Sequence, residues 1–447
     1  MPNAGPDGYA SGPLDDAVSA ALTGLAGSPG NIRLGLDRMQ QAMGRAGIPH
    51  RLPFPVILVA GTNGKGSTVA YLEALYRQSG YRTAAYTSPH VWRFPERLRI
   101  NGQMLGDGQW LDAVSRLAPV AGEISLTYFE LVTLAAVDLL LQHSPDLAIL
   151  EIGLGGRADA VNAFQPDLGI ITSVDLDHQA WLGNTRDEIG REKAGIFRPG
   201  VRALYGDPEN PCSSVLGLAQ AMGTPLWRLG RHFSIDPARG VWRMEGQSWR
   251  VPSPLWGGLE QWNNLALALA AVWLLREVLP GAVREPENWQ VVPELPGRAQ
   301  WLRPWGKDGP RVLADVAHNP QATAHLAEVL RAGKGCGRVC ALWGMMADKD
   351  IGASIQPLAD LVDVWYPLEL PGSRAASRKT LHALLEQMGL SIGEDADGRA
   401  GTVLEQVRDM LSPEDTLLCF GSFLVLEQLP EVWFSAGGSG LEPSCPG

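Results

Sequence analysis

The chain has 447 residues and a formal net charge of −11, with 45% hydrophobic and 19% charged residues. Such a composition excludes global disorder and supplies apolar material for more than one packed core. The acidic balance excludes a nucleic-acid coat or a polybasic membrane anchor.

Taken in chain order, residues 1–15 are rich in Gly, Pro and Asp and read as a flexible tail without a secretory signal. Residues 55–60 form a short apolar run suited to a buried strand, and 67–78 an amphipathic helix with Gly80 as its stop. Residues 82–87, 146–151 and 167–173 read as further strands, and 128–142 and 184–197 as helices. This alternation implies right-handed crossovers, hence an α/β fold with a mostly parallel sheet covered on both faces. The Trp-rich, Gly-broken stretch 233–251 predicts an antiparallel hairpin. The apolar run Leu265–Leu275 falls short of the roughly 18 residues a membrane span needs. Prolines and a glycine interrupt the pattern at 292–298, and a second α/β set follows with strands at 311–317, 338–343, 361–367 and 415–420. The expected domains are therefore 16–296 and 297–434, with a hinge near 296 and a second flexible tail at 435–447. Five scattered cysteines (Cys212, Cys336, Cys340, Cys419, Cys445) suit a reducing cytoplasm without a disulfide framework. Cys336 and Cys340 lack a second pair and read as ordinary strand cysteines rather than zinc ligands.

The chemistry concentrates where strands end. Gly61, Thr62, Asn63, Gly64, Lys65, Gly66 and Ser67 lie between the first strand and its helix. There, backbone N–H groups and the helix dipole favour phosphate, and Lys65 adds a point charge. No guanine-reading Asn-Lys-x-Asp follows, so ATP is expected over GTP. Glu151 ends a strand on the same carboxyl edge, where Mg2+ on ATP needs oxygen ligands; otherwise it is a solvated strand end. The next strand also ends on this edge, and His178, beside Asp175 and Asp177, is a ligand candidate there. Lys193, near a helix end, reads from its residue type alone as a cation favoured by the helix dipole. Ser88 serves equally as a turn residue or an oxygen ligand. His90, Arg93, Arg97 and Arg99 form a local basic segment suited to an anionic substrate tail. In the second set, Asp315 and His318 end a strand, with Asn319 and Pro320 placed as N-cap and N1 of the next helix.

Several motifs occur in order: Gly61–Gly66, Thr87–His90, Leu126–Glu130, Glu151–Asp159, Asp177-His178 with Trp181-Leu-Gly, Glu192–Ile196, Leu295–Arg298 and Asp315–Pro320. On these motifs the sequence resembles the folylpolyglutamate synthases, most closely their bacterial bifunctional form with dihydrofolate synthase activity. They are a branch of the Mur ligase superfamily, and the resemblance spans roughly residues 30–430. It implies a P-loop-type N-terminal ATPase domain, a Rossmann-like α/β C-terminal glutamate ligase domain and catalysis in the cleft between them. It also implies dihydropteroate, reduced folates, L-glutamate and ATP as substrates; the composition leaves neither nucleic acid nor membrane as partner and points to the cytoplasm, and a monomer is the default expectation. ATP would activate a pterin-bearing carboxylate as an acyl phosphate, which the glutamate amine then attacks.

Carried over by position, Gly61–Ser67, Asn264, Arg298 and Asp315 match ATP contacts, with Lys65 catalytic as well. Ser88, Glu151 and His178 match magnesium ligands, for two Mg2+ ions, and a monovalent cation is a further possible cofactor. Lys193 matches a lysine that is carbamylated in the superfamily, which reverses the dipole reading. Thr127, Tyr128, Phe129, Glu130, Ala158 and Asp159 match the dihydropteroate pocket, completed loosely around Gly24–Gly30. His318 matches a catalytic and glutamate-side position, and Ser422 a glutamate-side one, with Leu424 standing where relatives often carry His. Competing readings are a folylpolyglutamate synthase alone, a Mur-type ligase for a cell-wall peptide precursor, and a nucleotide-binding paralogue without catalysis.

Overall fold

The Val-Ile-Leu-Val-Ala run forms strand β1 (Val56–Ala60), buried along its whole length, as a β-branched apolar run is at the centre of a parallel sheet. The computed structural model describes residues 13–27, 32–254, 257–283, 295–333, 335–372, 374–394 and 397–434. The tail 435–447, most of the tail 1–15, part of Gly24–Gly30 and residues 292–294 of the interruption at 292–298 lie outside them. The chain divides into two units, Met1–Ser253 with Trp262–Pro293, and Pro254–Gln261 with Glu294–Gly447.

In the first unit, β1 pairs in parallel with β5 (Leu147–Glu151) on one side and β6 (Leu168–Ile171) on the other. The sheet extends outward through β2 (Thr83–Tyr86) and through β7 (Ala203–Tyr205) to β8 (Leu226–Arg228). One face packs the helices Asp107–Glu123 and Tyr128–His143, the other Lys65–Gln78 and Leu259–Leu274. The apolar run Leu265–Leu275 is thus a core helix, and among the described residues no helix is long and apolar enough to cross a membrane.

Three features depart from the sequence reading. A helix spans Pro13–Ala26, beginning inside the expected tail; a proline at the first position suits a helix start. The stretch 233–251 is a three-stranded meander rather than a hairpin: β9 (Phe233–Asp236), β10 (Val241–Met244) and β11 (Gln247–Arg250), with Trp242 stacked on Trp249 at 4.5 Å. The basic segment runs through a 3-10 turn (Phe94–Arg97) into an antiparallel sheet edge, β3 (Leu98–Ile100) and β4 (Gln103–Met104). Its charges are used internally: Arg99 makes a 2.8 Å ion pair with Glu73, and Arg97 Nε donates to His90 Nδ1 at 2.9 Å. Burial, then the Arg97 charge, drives the His90 pKa down to about 3, so the imidazole is neutral. Arg99 is therefore ion-paired within the fold, while Arg97 keeps its charge beside a neutral His90.

The second unit holds a five-stranded sheet in the order β12 (Gln300–Leu302), β13 (Arg311–Ala314), β16 (Thr416–Phe420), β14 (Val339–Trp343) and β15 (Val364–Pro367). It is parallel except for β12 on β13, a Rossmann-like arrangement with helices between strands. Cys340 and Cys419 are buried in this sheet, and Cys336 is exposed ahead of β14 rather than within it.

Glu73 and Arg99 are both nearly buried, so removing one partner strands a charge. Arg99→Met is expected to cost about 3 kcal/mol in urea unfolding. Adding Glu73→Gln should recover part of it.

Candidate active site

The phosphate loop is shaped by its neighbour on the sheet. Where β6 ends, Thr172 Oγ1 donates to the Asn63 carbonyl at 2.5 Å, and Ser173 Oγ accepts the Asn63 N–H at 3.1 Å. The Ser173 carbonyl accepts the Thr62 N–H at 2.9 Å. Thr62 Oγ1 in turn bonds the Asp175 backbone at both its N–H (3.0 Å) and its carbonyl (3.1 Å). Gly64 caps the helix Lys65–Gln78 in the left-handed region at φ +83°, which favours glycine. A Cβ there would strike Asn264 Oδ1. Asn264, buried on the helix Leu259–Leu274, also accepts from Thr68 Oγ1 at 3.4 Å, so it braces the loop. Lys65 Nζ lies over the loop, donating to the Gly61 and Thr62 carbonyls at 3.1 and 3.2 Å. The result is a helix N-terminus with a fixed loop and a cation, a cradle for polyphosphate. Gly66 and Ser67 are buried in the first turn of that helix.

Glu151 ends β5 beside this loop, buried, with one carboxylate oxygen accepting the Ser88 N–H at 3.2 Å. Ser88 and Glu151 are thereby brought together. His178 stands in the left-handed region at φ +50° ahead of the short helix Gln179–Leu182, its Nε2 3.9 Å from Asp177 Oδ2. Among the described residues no three His, Cys, Asp or Glu side chains group closely enough to hold a metal by themselves. A hydroxyl, a carboxylate and an imidazole are nonetheless the donor types a hard divalent cation accepts alongside phosphate oxygens.

Lys193 is buried in the last turn of the helix Arg186–Ala194. The glycine loop after β5 seats this turn. Arg157 N–H donates to the Glu192 carbonyl at 2.8 Å, and the Arg157 guanidinium grips the Glu192 carboxylate. At Gly156 a Cβ would lie 2.7 and 2.8 Å from the Glu192 and Lys193 carbonyls, so only glycine lets the two backbones meet.

On the expected pterin side, Thr127 caps the helix Tyr128–His143 and Glu130 closes a capping box on the Thr127 N–H at 2.7 Å. Glu130 also holds Arg38 through two hydrogen bonds, 2.8 and 3.2 Å. Both side chains are therefore engaged in the fold. Arg38 carried no sequence signal, because its partner lies in a distant element. Tyr128 is buried, and its phenol pKa is raised by burial. Phe129 stays half-buried, its ring tilted against Tyr86 and covering Gly153, where a Cβ would be 2.5 Å away. Ala158 is half-buried beside Asp159, and its carbonyl accepts the Gly35 N–H at 3.1 Å. Asp159 is buried and accepts the Leu154 and Val161 N–H groups at 2.8 and 2.9 Å. Burial pushes its carboxyl pKa up to about 7, against those hydrogen bonds and the Lys65 charge. Near neutrality it can thus donate as well as accept.

In the second unit, Asp315 accepts the Ala299 and Ala317 N–H groups at 2.5 and 2.6 Å, tying the 297–300 turn to the end of β13. Desolvation raises its pKa and the Arg298 charge opposes this. Arg298 lies over the Phe423 ring at 5.3 Å. His318 Nδ1 is 2.8 Å from the Val316 carbonyl, which suits Nδ1–H and leaves Nε2 as the acceptor. Asn319 caps the helix Pro320–Gly333 through the Ala322 N–H, with Pro320 at the first position. Ser422 Oγ caps the short helix Phe423–Glu427, and Leu424 provides the N–H.

Two family descriptions match: Mur ligase middle domain over residues 59–203 and Mur ligase, glutamate ligase domain over 297–423. A dihydrofolate synthase/folylpolyglutamate synthase of Escherichia coli is 40% identical over 405 residues, covering 90% of this chain and 92% of that protein. The chain belongs to the dihydrofolate synthase/folylpolyglutamate synthase family of Mur ligases. The Haemophilus influenzae relative of the same name is 34% identical, covering 88% and 92%. Among solved structures, E. coli FolC in complex with DHPP and ADP superposes with a TM-score of 0.81 at 36% identity, covering 93% of this chain and 96% of that one. A bifunctional folylpolyglutamate synthase/dihydrofolate synthase with Mn, AMPPNP and L-glutamate bound gives 0.80 at 34%, covering 93% and 97%.

Because the Asp159 pKa is raised from 3.8 to about 7 in the folded chain, the unfolded state loses its proton first as pH rises. Its contribution to stability is undiminished below about pH 4 and falls as pH approaches 7. Asp159→Asn is expected to flatten that part of the stability–pH curve, measured by denaturation at several pH values.

Proposed function

We propose that this chain is an ATP-dependent ligase that joins L-glutamate to dihydropteroate, giving dihydrofolate, and adds further glutamates to reduced folates. The observation that carries this reading is the phosphate loop. Gly61–Ser67 is locked at a helix N-terminus beside Glu151 and Ser88, in a chain of this family.

The acceptor carboxylate and ATP are both anionic, so bringing them together requires compensating charge. Lys65 and the loop N–H groups supply it on the β- and γ-phosphates, and Asn264 holds the loop in register. Ser88, Glu151 and His178 would hold Mg2+, as two ions, which neutralises charge on the phosphoryl group in transfer; a monovalent cation is a further cofactor in this reading. Lys193, buried at the end of its helix, would serve as a carbamate, exchanging an unfavourable buried ammonium for a carboxylate directed at the cation. The pterin would rest on Tyr128 and Phe129, with Thr127 and Glu130 shaping the wall, and hydrogen-bond near Ala158 to Asp159, whose raised pKa keeps a proton available. Arg298 and Asp315 would serve the nucleotide. His318 and Ser422 would serve glutamate, with the His318 tautomer that carries its proton on Nδ1 leaving Nε2 as the acceptor for the proton the amine releases on attack. The enzyme in this reading is a cytoplasmic monomer with domains 16–296 and 297–434.

Release of ADP with Mg-ATP and L-glutamate, compared between dihydropteroate and tetrahydrofolate, tests the reading. Turnover with both is expected. Turnover with tetrahydrofolate alone would reduce it to a folylpolyglutamate synthase, and turnover with neither, despite nucleotide binding, would leave a non-catalytic paralogue. Lys193→Ala should keep the fold by circular dichroism yet lose nearly all turnover, with partial recovery on adding short carboxylic acids; wild-type activity would remove Lys193 from the mechanism.

A further inference from the structure

The helix that carries Lys193 in its last turn begins with Arg186, and this arginine reaches back to the strand exit that holds the phosphate loop. Arg186 Nε donates to the Val174 carbonyl at 2.9 Å. Its Nη2 donates to Asp207 Oδ2 at 2.6 Å and to the Asn210 carbonyl at 3.0 Å. Val174 lies between Ser173 and Asp175, the two residues whose backbones bond Thr62. Asp207, just after β7, also accepts from the Tyr205 hydroxyl at 3.3 Å. Tyr205 Oη in turn accepts the Cys212 N–H at 3.0 Å.

The chain of contacts is continuous and short. Asp207 orients the guanidinium, the guanidinium fixes the Val174 carbonyl, and the peptides on either side fix Thr62. None of Arg186, Asp207 or Val174 belongs to the phosphate loop or to the expected metal ligands. The Arg186–Asp207 pair is largely shielded, with side-chain exposures of 28% and 15%, so it escapes most of the screening that weakens surface pairs. A guanidinium suits the task better than an ammonium, because its planar fork serves a carbonyl and a carboxylate in different directions at once.

We propose that Arg186, held by Asp207, is a positioning residue for nucleotide binding: it sets the Ser173–Asp175 backbone and through it the Thr62 end of the phosphate loop. The proposal rests on the reading of that loop as the nucleotide site. A plain brace of the fold would lower stability without singling out the nucleotide, and a positioning role would do the reverse.

The test uses the full-length chain and the variants Arg186→Lys, Arg186→Ala and Asp207→Asn. Calorimetry with AMPPNP and Mn2+ gives Kd, thermal unfolding without ligand gives stability, and steady-state kinetics give KM for ATP and for glutamate. Arg186→Lys and Asp207→Asn are expected to keep the unliganded midpoint close to wild type while weakening AMPPNP roughly tenfold, about 1.4 kcal/mol. KM for ATP should rise and KM for glutamate should hold. Methylguanidinium should restore part of the affinity lost in Arg186→Ala; if that variant does not fold, the two conservative variants decide. Folded variants with wild-type AMPPNP affinity, or with a lowered midpoint and unchanged KM for ATP, would overturn the proposal. Absence of AMPPNP binding by the wild-type chain would instead overturn the nucleotide reading itself, and the proposal with it.

Discussion

The site depends first on the hydrogen bonds between the end of β6 and the loop after β1. A glycine-rich loop has little conformational preference of its own. Here Thr172, Ser173 and Asp175 bind both sides of Asn63 and Thr62, so the N–H groups at the helix start are ordered in advance of any ligand. That order matters energetically because a preformed cradle loses less entropy on binding than a loop that must be ordered by its ligand. The same sheet edge places Glu151 one strand away, since β5 and β6 flank β1 in register.

From that edge the remaining groups follow by close backbone approach. Gly156 and Gly195 let the loop after β5 lie against the helix end, where the Asn162 side chain bridges the Arg157 and Gly195 carbonyls. This is how a lysine far along the chain comes to be buried near a strand that ends in a carboxylate. Asp159 at the far end of the loop is desolvated, which raises its carboxyl pKa to about 7 despite the backbone N–H groups of Gly153, Leu154 and Val161 that oppose the rise.

Much of this was legible in the sequence. The strands, the phosphate loop and the helix starts are local patterns, and local chemistry such as Gly64 ahead of a helix or Asn319-Pro320 determines them. Partnerships between distant elements were not legible. Glu130 looks like a ligand in its motif, yet it closes a capping box and holds Arg38 from a helix 92 positions away. Arg99 looked like part of an anion site, but Glu73 pairs with it. Lys193 shows the opposite failure: residue type favoured a solvated helix-end cation, and only the tertiary packing reveals that it is buried. Side chains announce their chemistry locally, whereas burial and pairing are properties of the fold.

The central claim is that the cradle delivers the γ-phosphoryl group of ATP to a carboxylate. It is tested most directly with dihydropteroate carrying oxygen-18 in its carboxyl group, in the presence of Mg-ATP and L-glutamate, followed by mass analysis of the released phosphate. An acyl-phosphate route predicts one labelled oxygen in each phosphate released, because the bond broken when glutamate attacks lies between the acyl carbon and that oxygen. Phosphate without label, formed alongside the amide product, would contradict the account.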